Sequence, residues 1–216
     1  MQTEVIIVDY GLGNLKSVSR AIQYCGGIPK ISSDPNEIRS AQKIILPGVG
    51  AFGEGMKRLS EAGLDEAIKS GVKDGANLLG ICLGMQMLMD TSEEFGDEFG
   101  LGLIKGPVRK INAIGDSGEF HRKVPHIGWS PLQYGPNTSS WTGSPLEAIA
   151  LGSPVYFVHS FMACPTSETE IIASCNYGGL QISAVINHNK VWGMQFHPEK
   201  SGRAGLEMMN KFISMI

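Results

Sequence analysis

The chain has 216 residues, 42% hydrophobic and 18% charged, with a net charge of -3. That length buries a substantial core without disulfide staples, and the composition excludes a disordered chain. The slight acidic balance and the lack of a long basic run argue against a nucleic-acid partner, and no apolar run reaches the length of a membrane span.

The opening "MQTEVIIVDYGLG" has no basic stretch followed by a long apolar run and a small-residue cleavage site, so it reads as a first strand and not a signal peptide. "EVIIVDYG" (4–11) is a short apolar run stopped by glycine, hence a buried strand. In "NLKSVSRAIQYCGG", Leu15, Val18, Ile22 and Cys25 fall on one helical face; Asn14 is the expected N-cap and Gly26-Gly27 the stop. "IPKIS" and "KIILPG" (43–48) are further strands, residues 53–73 form one or two helices broken near Gly63, "NLLGI" (77–81) is a strand, and "GMQMLMDTS" opens the next helix. This alternation predicts an α/β fold with an open, mostly parallel sheet flanked by helices.

After about residue 100 the pattern changes. "PVRKIN", "VYFVHSF", "EIIASCNYG", "LQISAVINH" and "KVWGMQF" follow one another as strands, which predicts additional antiparallel strands in the C-terminal half. Residues 176–179 and Asn187-His188-Asn189 read as hairpin turns. A last helix carries Leu206, Met209, Ile213 and Ile216 on one face, and residues 112–123 and 135–153 read as loops. Nothing resembles a linker, so residues 1–216 are expected to form a single domain.

Two glycine-rich segments invite a cofactor and do not support one. "GLGN" lacks the third glycine of a dinucleotide-binding turn, because position 16 is Lys, and "PGVGAFG" (47–53) lacks the Gly-Lys-Ser/Thr of a phosphate loop. The second segment does place flexible backbone at the end of a parallel strand, where ligands bind in open α/β sheets. Its N–H groups can face a developing negative charge. Cys25, Cys82, Cys164 and Cys175 form no C-x-x-C pair and no zinc spacing, which fits reduced thiols in a cytoplasmic protein and predicts no metal.

"GICLG" (80–84) has the form of a nucleophile elbow between strand and helix. A nucleophile there occupies a sharp, strained turn, so side chains two residues to either side would collide with it. The helix that follows points its N-terminus at the sulfur and favours the thiolate, and the Leu83 N–H can serve an oxyanion. The plain alternative is a buried structural cysteine, and this segment alone leaves both readings open. A thiolate that attacks an amide also needs a proton donor for the leaving amine. Of the five histidines, His121 lies in a polar loop, His188 in a hairpin turn, and His126 and His159 near strands as core or substrate contacts. His197 follows an apolar strand, Pro198 holds it extended, and Glu199 two residues on falls on the same face, able to orient the ring. Read plainly, "HPE" is a turn with a capping Glu.

Together, "PGVGAFG", "GICLGMQ" and "QFHPEKS", in this order and on these elements, resemble the class I (triad) glutamine amidotransferases. "DYGLGNLKSV" (9–18), "PHIGW" (125–129) and "YFVHSF" (156–161) narrow the resemblance to the glutaminase subunits of imidazole glycerol phosphate synthase, from about residue 4 to the C-terminus. The resemblance implies a Cys82, His197 and Glu199 triad, oxyanion N–H groups at Val49 or Gly50 and at Leu83, and glutamine held by Gln86 and by His159, Ser160 and Phe161. Phe161 stands where many members carry Tyr. It also implies a heterodimer with a (β/α)₈-barrel cyclase subunit, which uses the ammonia to make imidazole glycerol phosphate and an aminoimidazole carboxamide ribotide for histidine and purine synthesis. "PHIGW" matches a segment that lies against that partner, which implies that Ile127 and Trp129 belong to the interface, with ordinary core packing as the plain alternative. The polar stretch 112–123 and "GWS" in place of Gly-Trp-Asn depart from the usual pattern. They keep open a paralogue that supplies ammonia for an amidated sugar. A cysteine peptidase or stress protein with a similar elbow, and a non-catalytic relic, are the remaining alternatives.

Overall fold

The computed structural model describes residues 2–114 and 122–215; His121, most of the polar stretch before "PHIGW" and Ile216 lie outside them. The strands are β1 (Glu4–Val8), β2 (Ile28–Ser32), β3 (Lys43–Gly48), β4 (Asn77–Cys82), β5 (Thr91–Ser92), β6 (Glu98–Phe99), β7 (Pro107–Lys110), β8 (His126–Pro131), β9 (Gln133–Tyr134), β10 (Pro154–His159), β11 (Phe161–Ala163), β12 (Ile171–Tyr177), β13 (Leu180–His188) and β14 (Val191–Met194). The helices are α1 (Leu15–Tyr24), α2 (Pro35–Ser40), α3 (Phe52–Glu61), α4 (Leu64–Lys73), α5 (Leu83–Met87) and α6 (Gly202–Ser214).

An eight-stranded sheet runs in the order β2-β1-β3-β4-β14-β13-β12-β9. Its first five strands are mutually parallel and the remainder antiparallel, so the change of pattern read in the sequence falls at the β14–β13 boundary. Alternation along the strands divides the core between the two faces of the sheet. Val5, Ile7, Ile45, Leu79 and Ile81 meet α1 and α6 on one side. Ile6, Val8, Ile44, Leu46 and Leu78 meet α2, α3 and α4 on the other. Each fully buried aliphatic side chain contributes roughly 1.5–3 kcal/mol, which is what holds the strand ends in fixed register.

Several local expectations need correction. The chain enters α1 at Asn14, but the Asn14 side chain makes no capping bond; its carbonyl accepts from Ser17 and Val18 instead. The helix after the elbow stops at Met87, because Thr91 and Ser92 are drawn into strand pairing with β6 and β7. Helix α2, capped by Asp34 with Pro35 in its first turn, escaped the sequence reading. "YFVHSF" is broken at Ser160 into β10 and β11, which pair with β8 and β7 respectively. His188 is the last residue of β13, paired with Glu170, and the turn itself begins at Asn189 with positive φ. The 135–153 loop is no mere surface connection: it buries Trp141, Leu146 and Ile149 against the sheet.

Candidate active site

Three neighbouring strands, β3, β4 and β14, end at the same edge of the sheet and deliver the key groups together. Cys82 closes β4 at φ 55 and ψ -109, a left-handed conformation that costs a non-glycine residue of order 1–3 kcal/mol. Close approach explains the flanking glycines. A Cβ on Gly80 would lie 2.6 Å from the Gly84 carbonyl oxygen, and one on Gly84 would run into the Leu46 carbonyl. Gly48 is the register partner of Cys82, and a Cβ there would lie 2.6 Å from the Tyr10 hydroxyl and 2.8 Å from Leu83. The elbow is thus wedged between β3 and its own helix.

His197 follows β14 with extended φ and ψ, and its Nδ1 lies 2.9 Å from Glu199 Oε1. Pro198–Lys200 is a single 3-10 turn rather than extended chain. The His197–Glu199 contact therefore comes from the turn folding Glu199 back, not from strand alternation. Both side chains are almost wholly buried. Burial opposes charge on His197, but Cys82 and Glu199 beside the ring outweigh it and hold the pKa up at about 9. His197 Nε2 and Glu199 Oε2 are buried and lack a hydrogen-bond partner among the described residues.

A cavity of about 320 Å³ opens onto this edge. Val49, Gly50, Cys82, Leu83, Gln86, His159, Ser160, Phe161 and His197 all line it, so the structure brings together every catalytic, oxyanion and substrate-binding candidate except Glu199, which sits directly behind His197. Glu94, Pro125 and Val158 line it too and were not anticipated. The Glu94 carboxylate accepts from the Phe52 N–H at 2.7 Å, and its position twelve residues past the nucleophile, in a short loop, carries no local signal. Gln195, 0% exposed, lies behind the pocket. No local signal marks it, because Gln86 and Cys82 reach it only through the pairing of β14 with β4.

His126 and His159 are also buried and interlocked. His159 Nδ1 meets the Phe161 carbonyl at 2.8 Å, His159 Nε2 meets His126 Nδ1 at 3.1 Å, and His126 Nε2 meets Ser130 at 2.9 Å. The carbonyl can only accept, so the tautomers follow in sequence: His159 donates from Nδ1, His126 donates to His159, and the Ser130 hydroxyl donates to His126. Burial depresses both rings to about 4. Ile127 and Trp129 point the other way along β8 and are 59% and 56% exposed, which removes ordinary core packing as their explanation.

The profile of the family "Glutamine amidotransferase class-I" matches residues 6–215, and the chain belongs to that family. Within it, the chain is 47% identical over 213 residues to imidazole glycerol phosphate synthase subunit HisH 1 of Legionella pneumophila (strain Lens), covering 99% of this chain and 100% of that protein. It is 42% identical over 214 residues to the subunit HisH of Geobacillus thermodenitrificans (strain NG80-2), covering 99% and 97%. Solved structures share the fold at lower identity. PurLQS from Thermotoga maritima matches with TM-score 0.70 and 20% identity, over 98% of both chains. The crystal structure of a glutamine amidotransferase matches with TM-score 0.68 and 20% identity, over 95% of this chain and 98% of its own. Among the described residues no helix is long and apolar enough to cross a membrane, and no cluster of His, Cys, Asp and Glu could hold a metal ion.

Proposed function

We propose that the chain is the glutaminase subunit of an imidazole glycerol phosphate synthase, supplying ammonia for histidine biosynthesis. The observation that carries this reading is the pairing of a strained, glycine-cleared Cys82 with a Glu199-held His197 in one cavity, on a chain 47% identical over 99% of its length to a subunit of imidazole glycerol phosphate synthase. The Cys82 thiolate attacks the γ-carboxamide carbon of glutamine. The oxyanion that forms takes hydrogen bonds from the Leu83 N–H and from the backbone at Val49 or Gly50. His197 then gives a proton to the departing ammonia, and its neutral ring activates the water that releases glutamate from the thioester.

Substrate recognition follows from which donors are already used. Gln86 Nε2 donates to the Phe161 carbonyl at 2.9 Å and to Gln195 Oε1 at 3.1 Å, which commits both of its hydrogens. Gln86 therefore offers the pocket only its oxygen. That oxygen and the Glu94 carboxylate suit the α-ammonium group of an amino acid, while backbone N–H groups of the Ser160–Phe161 segment suit its carboxylate. The Phe161 carbonyl already accepts from Gln86 and His159, so a missing Tyr hydroxyl there leaves this backbone contact unaffected.

The partner is a (β/α)₈-barrel cyclase that receives the ammonia directly, which keeps it from being protonated in bulk water. The exposed Ile127 and Trp129 of β8 form part of the docking face. Mixing this chain, glutamine and a histidine-pathway cyclase tests the reading, with imidazole glycerol phosphate as the expected product. No product, with glutamate still released, would assign the chain to the amidated-sugar paralogues instead.

A further inference from the structure

The network behind the pocket leaves no freedom in how its amides are oriented. The Phe161 carbonyl can only accept, so Gln86 must present its NH₂ group to it. The second hydrogen of that NH₂ reaches Gln195 at 3.1 Å, and this contact requires an oxygen on Gln195. The Gln195 NH₂ must then face the opposite way, where it lies 3.9 Å from Cys82 Sγ. Strand register explains the meeting. Ile81 pairs with Met194, so the next residues on β4 and beyond β14 come side by side.

The other polar neighbour of the sulfur is the Val158 carbonyl oxygen, also at 3.9 Å. A thiol can donate to that oxygen, but a thiolate cannot. Once the proton has left, Val158 repels the sulfur, and the Gln195 N–H is a buried donor still aimed at it. His197 also faces the sulfur and is raised by it, but it offers that donor only while its ring carries the proton.

We infer that Gln195 is part of the catalytic machinery: its Nε2–H holds the deprotonated Cys82 sulfur at the elbow while its Oε1 fixes the Gln86 amide. The nucleophile and a substrate-recognising side chain thereby share one frame. The inference rests on the reading of Cys82 as the nucleophile. It gives the sulfur a neutral donor that stays in place when the His197 ring passes its proton to the leaving group.

Two near-isosteric variants separate the halves of this role. Gln195→Glu keeps an acceptor for Gln86 and removes the donor to sulfur. Gln195→Met removes both without burying a charge. The readouts are the rate of Cys82 alkylation by iodoacetamide near neutral pH, with the site read by mass spectrometry, and kcat and KM for glutamine. Loss of a charge-assisted donor is expected to slow alkylation about threefold or more, because the lost thiolate fraction is partly offset by higher intrinsic nucleophilicity. For Gln195→Glu, kcat falls by at least that factor while KM stays within about threefold; for Gln195→Met, KM rises as well. Folded variants with parent alkylation rates and parent kcat would overturn the inference. If neither variant folds, the parent chain decides. With ¹⁵N-glutamine labelling, one Gln195 amide proton is expected to exchange slowly and to lose that protection in Cys82→Ala; unchanged exchange overturns the inference. The two readings fail separately. Glutamate release by Cys82→Ala would sink the nucleophile, whereas an inert Cys82→Ala with parent-like Gln195 variants would sink only the role of Gln195.

Discussion

His197 and the His126–His159 pair are buried alike, at 2%, 1% and 6% exposure, yet they respond in opposite directions. Burial alone takes His126 down to about 4, and it does the same to His159, assisted by the neighbouring rings and only partly opposed by the Phe161 carbonyl. His197 experiences the same burial and still rises to about 9, because Cys82 and Glu199 face it. Depth therefore does not decide the charge in this pocket; the chemistry of the partner does. The pair is bonded at all four ring nitrogens to neutral groups and acts as a strut between β8 and the Phe161 carbonyl. His197 instead faces two groups that favour its charged form, as the proposed proton transfer requires.

That contrast breaks most severely at its source. Cys82→Ala is expected to lower glutamate release by about 10⁴-fold or more, and to bring the His197 titration down from about 9 when followed by NMR. Glu199→Gln removes the other anion. Activity is expected to fall by about 10²–10⁴-fold while the fold persists, and the His197 titration again moves down, toward the behaviour of the neutral pair. An unmoved His197 in both variants would dissolve the comparison.

Stability against pH sharpens it with a sign on each side. The folded pKa values of His126 and His159 lie below the unfolded value of 6.5, so the stability they contribute is present above 6.5 and lost as pH falls toward 4. The folded value for His197 lies above 6.5, so its contribution is complete below 6.5 and lost as pH rises through about 9. Thermal midpoints should therefore fall on both limbs. His126→Asn is expected to flatten the acid limb by about one proton, and Glu199→Gln the alkaline limb. A smaller effect concerns the cysteines. Burial raises Cys25 and Cys164 and pushes Cys175 up to about 12, so alkylation near neutral pH should mark Cys82 first. Smallest for the isolated chain is Trp129→Ala, with a stability change within about 0.5 kcal/mol. Formation of imidazole glycerol phosphate with the cyclase should nonetheless be lost, because exposed aromatic anchors dominate such interfaces.

The parts of this arrangement visible in the sequence were those with a local physical signature. Gly80 and Gly84 around Cys82 announce an elbow, the apolar run before His197 announces a strand, and the alternation of the first ninety residues announces a parallel sheet. What stayed hidden depends on distant pairings. Glu94 reaches the pocket through a short loop, Gln195 gains meaning only from its register beside Cys82, and His126 needs β8 and β10 to meet before it finds His159. The short α5 departs from the helical spacing of "GMQMLMDTS" because the pull of β6 and β7 on Thr91 and Ser92 is tertiary and leaves no trace in that spacing.

The proposed glutamine hydrolysis by Cys82, with His197 and Glu199, is tested most directly by glutamate release from glutamine, measured for the parent and Cys82→Ala chains, each with and without a histidine-pathway cyclase. The expected result is glutamate from the parent chain in the presence of the cyclase, and none from Cys82→Ala in either condition. Persistent turnover in Cys82→Ala would contradict the account.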